Sequence, residues 1–267
     1  VGVSQSPPHT LDVWKHTLSV VQKLSAIFNI LAPQHNPESA DNWTMGLISL
    51  RLGRYRQQLH EHLTSPLNPD RSLQALILLA ALYNDSGKPQ TRQVEESGRT
   101  RFFEHDELGA KLISVRANKL HLSNDEIERL KIIVRHHMRP LLLALAGETP
   151  TRRAVYRFFR STGSAGVDIC LLSLADTLAT YGTTLPQEIW TRQMDVIRSL
   201  LESWWEKPAE HVFPPALLSG HSLMEAFDLP GGPKIGQLLE FIREAQAAGE
   251  ISTQEEALEL ARAWLEK

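Results

Sequence analysis

Two aspartates stand where an aspartate is costly. Asp85 follows the stretch Leu73-Gln74-Ala75-Leu76-Ile77-Leu78-Leu79-Ala80-Ala81-Leu82-Tyr83, in which Gln74 is the one strongly polar side chain. Asp176 interrupts a second apolar run, Ile169-Cys170-Leu171-Leu172-Ser173-Leu174-Ala175. A carboxylate carried into a core needs an opposite charge, hydrogen bonds or a metal ion. His16, His105, His136 and His137 lie on or beside other apolar segments and could complete such a centre. Taken singly, each histidine is more readily a hydrogen-bonded core residue, because buried polar groups find partners. Together, four imidazoles and two carboxylates on separate apolar segments point to one polar centre. Carboxylates suit Mg²⁺ or Mn²⁺, and imidazole adds Zn²⁺, Fe or Ni²⁺, so a divalent ion of unspecified identity is expected. Such an ion can acidify bound water and polarise a phosphoryl oxygen. Lys88 and Arg139 flank the same places and could neutralise a substrate phosphate.

The elements that must position these residues read as helices. A helix is expected from about Thr10 to Ile30, with Leu11, Trp14, Leu18, Val21, Leu24 and Phe28 as its apolar stripe and His16 beside it. Another is expected over about 44–63. The Leu73–Tyr83 helix, capped by Asp70, should be buried nearly all round. A polar loop at 91–101 precedes a helix that Phe102-Phe103-Glu104-His105-Asp106 opens. Ser123 and Glu126 form a capping box for the helix that ends at His136-His137-Met138-Arg139-Pro140. Arg153, Arg157 and Arg160 share one face of a short helix, a geometry that could follow a phosphate backbone or pair with carboxylates of the same chain. No strand alternation or repeat stands out, and the fold class is all-α. Composition shifts at 207–215, giving a helical domain over 1–206 and a smaller helical tail over 207–267.

Composition narrows the function. With 42% hydrophobic residues, the 267-residue chain can build a large core. A formal net charge of −3 gives no global pull towards nucleic acid, so any such binding needs a local patch. One cysteine, Cys170, excludes an intrachain disulfide and a cysteine-based zinc site, and suits a reducing compartment. No apolar run reaches the roughly 18 residues of a spanning helix. A cytoplasmic protein without a membrane partner is expected. The chain begins at Val1 without an initiator methionine, which leaves room for an upstream segment.

The motifs resemble a known family. Asp12-Val13-Trp14-Lys15-His16-Thr17-Leu18, Phe102-Phe103-Glu104-His105, Val134-Arg135-His136-His137-Met138-Arg139-Pro140 and Leu174-Ala175-Asp176 resemble the metal-binding motifs of the HD superfamily of phosphohydrolases. More closely, the chain resembles the C-terminal part of bacterial tRNA nucleotidyltransferases, the CCA-adding and poly(A) polymerase family. Leu218-Ser219-Gly220-His221, Gly232-Pro233-Lys234-Ile235-Gly236 and residues 244–257 resemble the tail that lies against tRNA there. The resemblance implies an HD-like helical bundle followed by a tRNA-binding tail.

Two departures matter. The superfamily's His-Asp pair is Asn84-Asp85 here, and asparagine is a weak, neutral oxygen ligand. The resemblance therefore implies an impaired site at His16, Asn84, Asp85 and Asp176, and an intact one at Asp85, His105, His136 and His137. The Asp-x-Asp pair of the family's catalytic head is absent from this sequence, so a head on the same or another chain would have to supply it. Two readings follow, and the enzyme status stays open. The favoured one is a metal-dependent phosphohydrolase acting on nucleotide or RNA-end phosphoesters, with Asp85, Lys88 and Arg139 as catalytic groups. The alternative is a non-catalytic RNA-binding part of a tRNA nucleotidyltransferase-like protein, with tRNA as partner and Arg153, Arg157 and Arg160 as contacts.

Overall fold

A computed structural model describes residues 2–35, 42–69, 71–147 and 149–266. The chain is all-α, as expected, with two very small antiparallel strand pairs among the described residues. It divides into two compact units, one of residues 1–148 and 164–198, the other of residues 149–163 and 199–267. The division falls inside one helix, before the 206/207 position suggested by composition, and it assigns the short arginine-bearing helix to the second unit.

The first unit begins with α1 (Val13–Ile30). The Asp12 side chain accepts from the backbone N–H groups of Trp14 and Lys15 at 2.9 and 3.0 Å, a cap that contributes about 1 kcal/mol. Its buried face is Val13, His16, Thr17, Val20, Leu24, Ile27 and Phe28. This corrects the expected stripe: Trp14 and Leu18 are 47% and 40% exposed, and the face that points inward passes through His16. α2 (Trp43–Leu52) and α3 (Arg56–Thr64) replace the single helix expected over 44–63, separated by a tight turn at Gly53–Tyr55. β1 (Pro66–Asn68) and β2 (Arg71–Ser72) pair antiparallel. α4 (Leu73–Tyr83) is capped by the Ser72 hydroxyl; the expected cap, Asp70, lies outside the described residues.

α4 is buried on one side only, with Gln74, Ala75 and Leu82 exposed. The helix buried all round is α10 (Ala165–Tyr181), in which every residue from Ala165 to Thr180 is buried. Each fully buried Leu, Ile or Val there contributes about 1.5–3 kcal/mol, enough to carry two aspartates inside. α1 packs on both α10 and α4. α5 (Lys88–Thr91) is a single turn, and β3 (Arg92–Val94) pairs with β4 (Thr100–Phe102), so the expected polar loop is a hairpin. α6 (His105–Lys119) packs on α7 (Asn124–His136), which carries the expected capping box. α8 (Arg139–Leu145) begins with Pro140 in its first turn.

Gly87 sets how closely the end of α4 approaches α6. A β-carbon there would stand 2.1 Å from the His105 carbonyl oxygen and 3.0 Å from the Gly109 nitrogen. Only glycine allows this approach, and it draws Asp85 and His105 together.

The second unit contains α9 (Arg152–Thr162), the end of α11 (Gln187–Trp205), α12 (Pro208–His211), α13 (Gly220–Phe227), α14 (Pro233–Ala248) and α15 (Gln254–Leu265). Leu223, Leu238, Ile242, Ala245, Ile251, Ala257 and Ala261 form its core. Thr253 and Glu256 form a capping box, and Gly249 ends α14 at φ 79°, where glycine is favoured.

Candidate metal centre

Asp85 lies at the middle of the first unit, 1% exposed, just beyond the end of α4. Its two carboxylate oxygens face different partners. Oδ2 accepts from Lys88 Nζ at 2.8 Å and lies 3.3 Å from His16 Nε2. Oδ1 faces His105 Nε2 at 3.6 Å and His137 Nε2 at 3.9 Å. Burial pushes the Asp85 carboxyl up, but the charges of Lys88, His16, His137 and His105 outweigh it and hold it below the usual carboxylate range.

His105 and His137 have matching environments. His105 Nδ1 donates to the Phe102 carbonyl at 2.8 Å, and His137 Nδ1 to the Val134 carbonyl at 2.7 Å. A carbonyl oxygen can only accept, so each ring carries hydrogen on Nδ1, and a neutral ring then has its lone pair on Nε2. Both Nε2 atoms are buried without a hydrogen-bond partner among the described residues. Backbone anchoring of one nitrogen beside a bare second nitrogen is the arrangement of a metal-ligating histidine. Burial outweighs the charge of Asp85, which acts the other way, and lowers the His105 pKa, which favours the neutral ring. Asp85, His105 and His137 therefore form a donor set that fits a divalent ion.

A second group consists of His16, Asp85 and Asp176. His16 Nε2 also lies 2.9 Å from Asp176 Oδ1, so it faces two acceptors and donates rather than offering a lone pair. Burial lowers the His16 pKa, but Asp176 and Asp85 outweigh it and hold it above its ordinary value. Asn84 donates through Nδ2 to Asp176 Oδ1 at 3.4 Å, while its buried Oδ1 has no partner among the described residues. A proton and an amide occupy the coordination directions in this group, so it fits an ion less well.

His136 joins neither group. It is half-buried at the end of α7; burial and the charges of Arg139 and Arg135 lower its pKa. Adjacent residues on a helix point about 100° apart, so His136 and His137 cannot both face Asp85. Arg139 starts α8, and its half-burial lowers the guanidinium pKa. Arg153, Arg157 and Arg160 are each paired in the second unit, with Glu250 at 2.6 Å, Glu244 at 2.6 Å and Glu240 at 2.8 Å. That is the carboxylate pairing the helix spacing allowed.

The segment before α1 supplies residues that sequence alone did not single out. Gln5 Oε1 accepts from Lys88 Nζ at 2.8 Å, and the His9 ring meets His16 edge-on at 5.0 Å. Burial, Lys88 and His16 lower the His9 pKa to about 4, so it is neutral near pH 7. A cavity of about 270 Å³ borders the centre, with His9, Lys88, Arg99, Arg101 and His105 in its lining. Asp168, wholly buried, bonds His62 and Arg129 at 2.6 Å each, and its place in an apolar run was a usable signal of burial.

Among the described residues no helix is long and apolar enough to cross a membrane. Residues 216–261 match the tRNA nucleotidyltransferase domain 2 family. The chain is 32% identical over 261 residues to a CC-adding tRNA nucleotidyltransferase of Thermus thermophilus, covering 96% of this chain and 46% of that protein. It is also 32% identical over 212 residues to an A-adding tRNA nucleotidyltransferase of Deinococcus radiodurans, covering 79% of this chain and 46% of that protein. A CC-adding enzyme of Synechocystis sp. is 29% identical over 161 residues, 57% of this chain and 36% of its own. The chain thus spans about half the length, or less, of these curated relatives, and along most of its own length it is similar to tRNA nucleotidyltransferases.

Proposed function

We propose that the chain is the non-catalytic, tRNA-binding portion of a tRNA nucleotidyltransferase-like protein, working in the cytoplasm beside a nucleotide-adding head. The observation that carries this reading is similarity over 96% of the chain to a CC-adding enzyme, in a sequence without an Asp-x-Asp pair. The similarity thus falls on helices, whose work in such a protein would be to hold the RNA. With a net charge of −3, the grip depends on local cationic and aromatic groups and on shape. The test is titration of a labelled tRNA transcript with the purified chain at rising salt. A complex that weakens steeply with salt is expected. No complex at low salt would overturn the reading.

A second reading is favoured by the bare Nε2 atoms of His105 and His137 beside Asp85 Oδ1. On this reading those three residues hold a divalent ion, and the centre hydrolyses a nucleotide or RNA-end phosphoester. The ion would supply a polarised phosphoryl oxygen and an acidified water. Lys88 holds Asp85 ionised, and Lys88, Arg99 and Arg101 give the adjoining cavity a cationic lining suited to phosphate. His16 and Asp176 keep their proton between them and orient the far side of Asp85. Phosphodiesterase and phosphatase assays with Mg²⁺, Mn²⁺, Ni²⁺, Fe²⁺ and Zn²⁺ test this, and no turnover with any ion would remove it.

A further inference from the structure

The second unit holds a cavity of about 440 Å³ lined by Tyr156, Phe159, Arg160, Phe213, Pro214 and Arg243, among others. Its wall is a run of aromatic rings. Phe159 stacks on Trp204 with centroids 4.9 Å apart, and Trp204 meets Phe213 edge-on at 5.5 Å. The inner ring is fixed: Phe159 is wholly buried. The outer ring is open, with Phe213 60% exposed. A large apolar ring left in water at the end of a rigid stack offers a flat face to another planar group.

The cationic groups at the rim differ from one another. Arg160 is tied to Glu240 through two contacts of 2.8 and 2.9 Å, and Glu240 also accepts from the Tyr156 hydroxyl at 2.9 Å. Arg243, half-buried on α14, has no carboxylate partner among the described residues. An apolar groove alone would suit many occupants. An open aromatic face next to an uncompensated guanidinium suits a narrower set, a planar base joined to a phosphate.

We infer that this cavity takes one unpaired nucleotide of an RNA, its base against Phe213 and its phosphate on Arg243. The inference rests on the tRNA-binding reading above and deepens it, because it names where in the second unit an unstacked base is read. It shifts the RNA contact from the carboxylate-paired arginines of α9 to Arg243, which lines the same cavity as the exposed ring.

The two halves of the contact have different signatures. Stacking is nearly independent of salt, whereas a phosphate contact releases counterions. Equilibrium titrations of one tRNA transcript would compare the unmodified chain with Phe213→Ala, Phe213→Trp and Arg243→Gln, with thermal melts confirming that each is folded. Phe213→Ala should weaken binding about 5- to 150-fold and leave the salt slope unchanged. Phe213→Trp should restore affinity. Arg243→Gln should weaken binding and flatten the slope of log K against log salt by about 0.7 to 0.9. If the unmodified chain binds tRNA and folded Phe213→Ala and Arg243→Gln bind equally well, the pocket assignment is overturned while the tRNA reading stands; such a face would fit a peptide better. If the unmodified chain binds no tRNA, both fail.

Discussion

Nε2 of His105 lies 3.6 Å from Oδ1 of Asp85, too far for a hydrogen bond and near the spacing of two ligands on one ion. Ligands at about 2.1 Å from a shared metal stand about 3 to 3.5 Å apart, so the gap needs to close by only a few tenths of an ångström. Under the metal reading, Asp85→Asn, His105→Ala and His137→Ala should each reduce affinity for Mn²⁺ or Zn²⁺ by more than the roughly 10- to 100-fold typical of a supporting residue. His136→Ala should leave it unchanged. Calorimetric titration of the four variants checks this, and equal losses for His136 and His137 would contradict the ligand set.

Asn84→His tests the neighbouring group. The Asn84 amide reaches Asp176, and its oxygen is buried without a partner, so an imidazole placed here would bring a stronger donor beside Asp85 and Asp176. Under the metal reading, metal stoichiometry should rise from one ion to two. An unchanged stoichiometry in an equally stable protein would show that this backbone position does not present a ligand.

Much of this centre was legible from residue type and apolar context, but not all of it. His16, Asp85 and Asp176 were readable because polar residues within apolar helices must be compensated. His136 was not separable from His137, since the facing of adjacent residues depends on the exact helix phase at α7. The same phase error placed Trp14 and Leu18 inside and His16 beside the stripe. α4 looked more buried than α10 because apolar content does not say how many neighbours a helix has. Gln5 and His9 carried no signal, as their position depends on how the leading segment lies across α5 and α1.

Gly87→Ala should be severe. A β-carbon 2.1 Å from the His105 carbonyl forces α4 and α6 apart, at a cost of about 3 kcal/mol or more. For a unit of this size that lowers Tm by about 6–12 °C, and metal affinity should fall with it. Gly46→Ala is the contrast: nothing stands within 4 Å of its added carbon, and in α2 alanine should stabilise by up to about 1 kcal/mol. Thermal melts of both variants check the pair.

Glu126 predicts an acid-sensitive step in the first unit. Arg71 grips both its oxygens at 2.7 and 3.0 Å, and the Ser123 backbone donates at 2.7 Å. Bonding to Arg71 outweighs burial and lowers its pKa from 4.5 to about 2. A depressed carboxylate contributes stability above its unfolded pKa and loses it as pH falls through the folded value. The stabilisation should therefore be present at pH 7 and disappear between pH 4.5 and about 2. Glu126→Gln should cost about 2 kcal/mol at pH 7 and flatten the unfolding profile over that window. Denaturant melts at several pH values check it.

The tRNA-binding proposal makes a prediction about selectivity. Its negative net charge makes indiscriminate attraction to phosphate weak, so binding through shape and unpaired bases should be selective. The most direct measurement is the affinity of the chain for a tRNA transcript against an unstructured RNA of equal length, in one buffer at physiological salt. A clear preference for tRNA is expected, at least about tenfold, equivalent to about 1.4 kcal/mol. Equal affinity for the two RNAs, or affinity for neither, would contradict it.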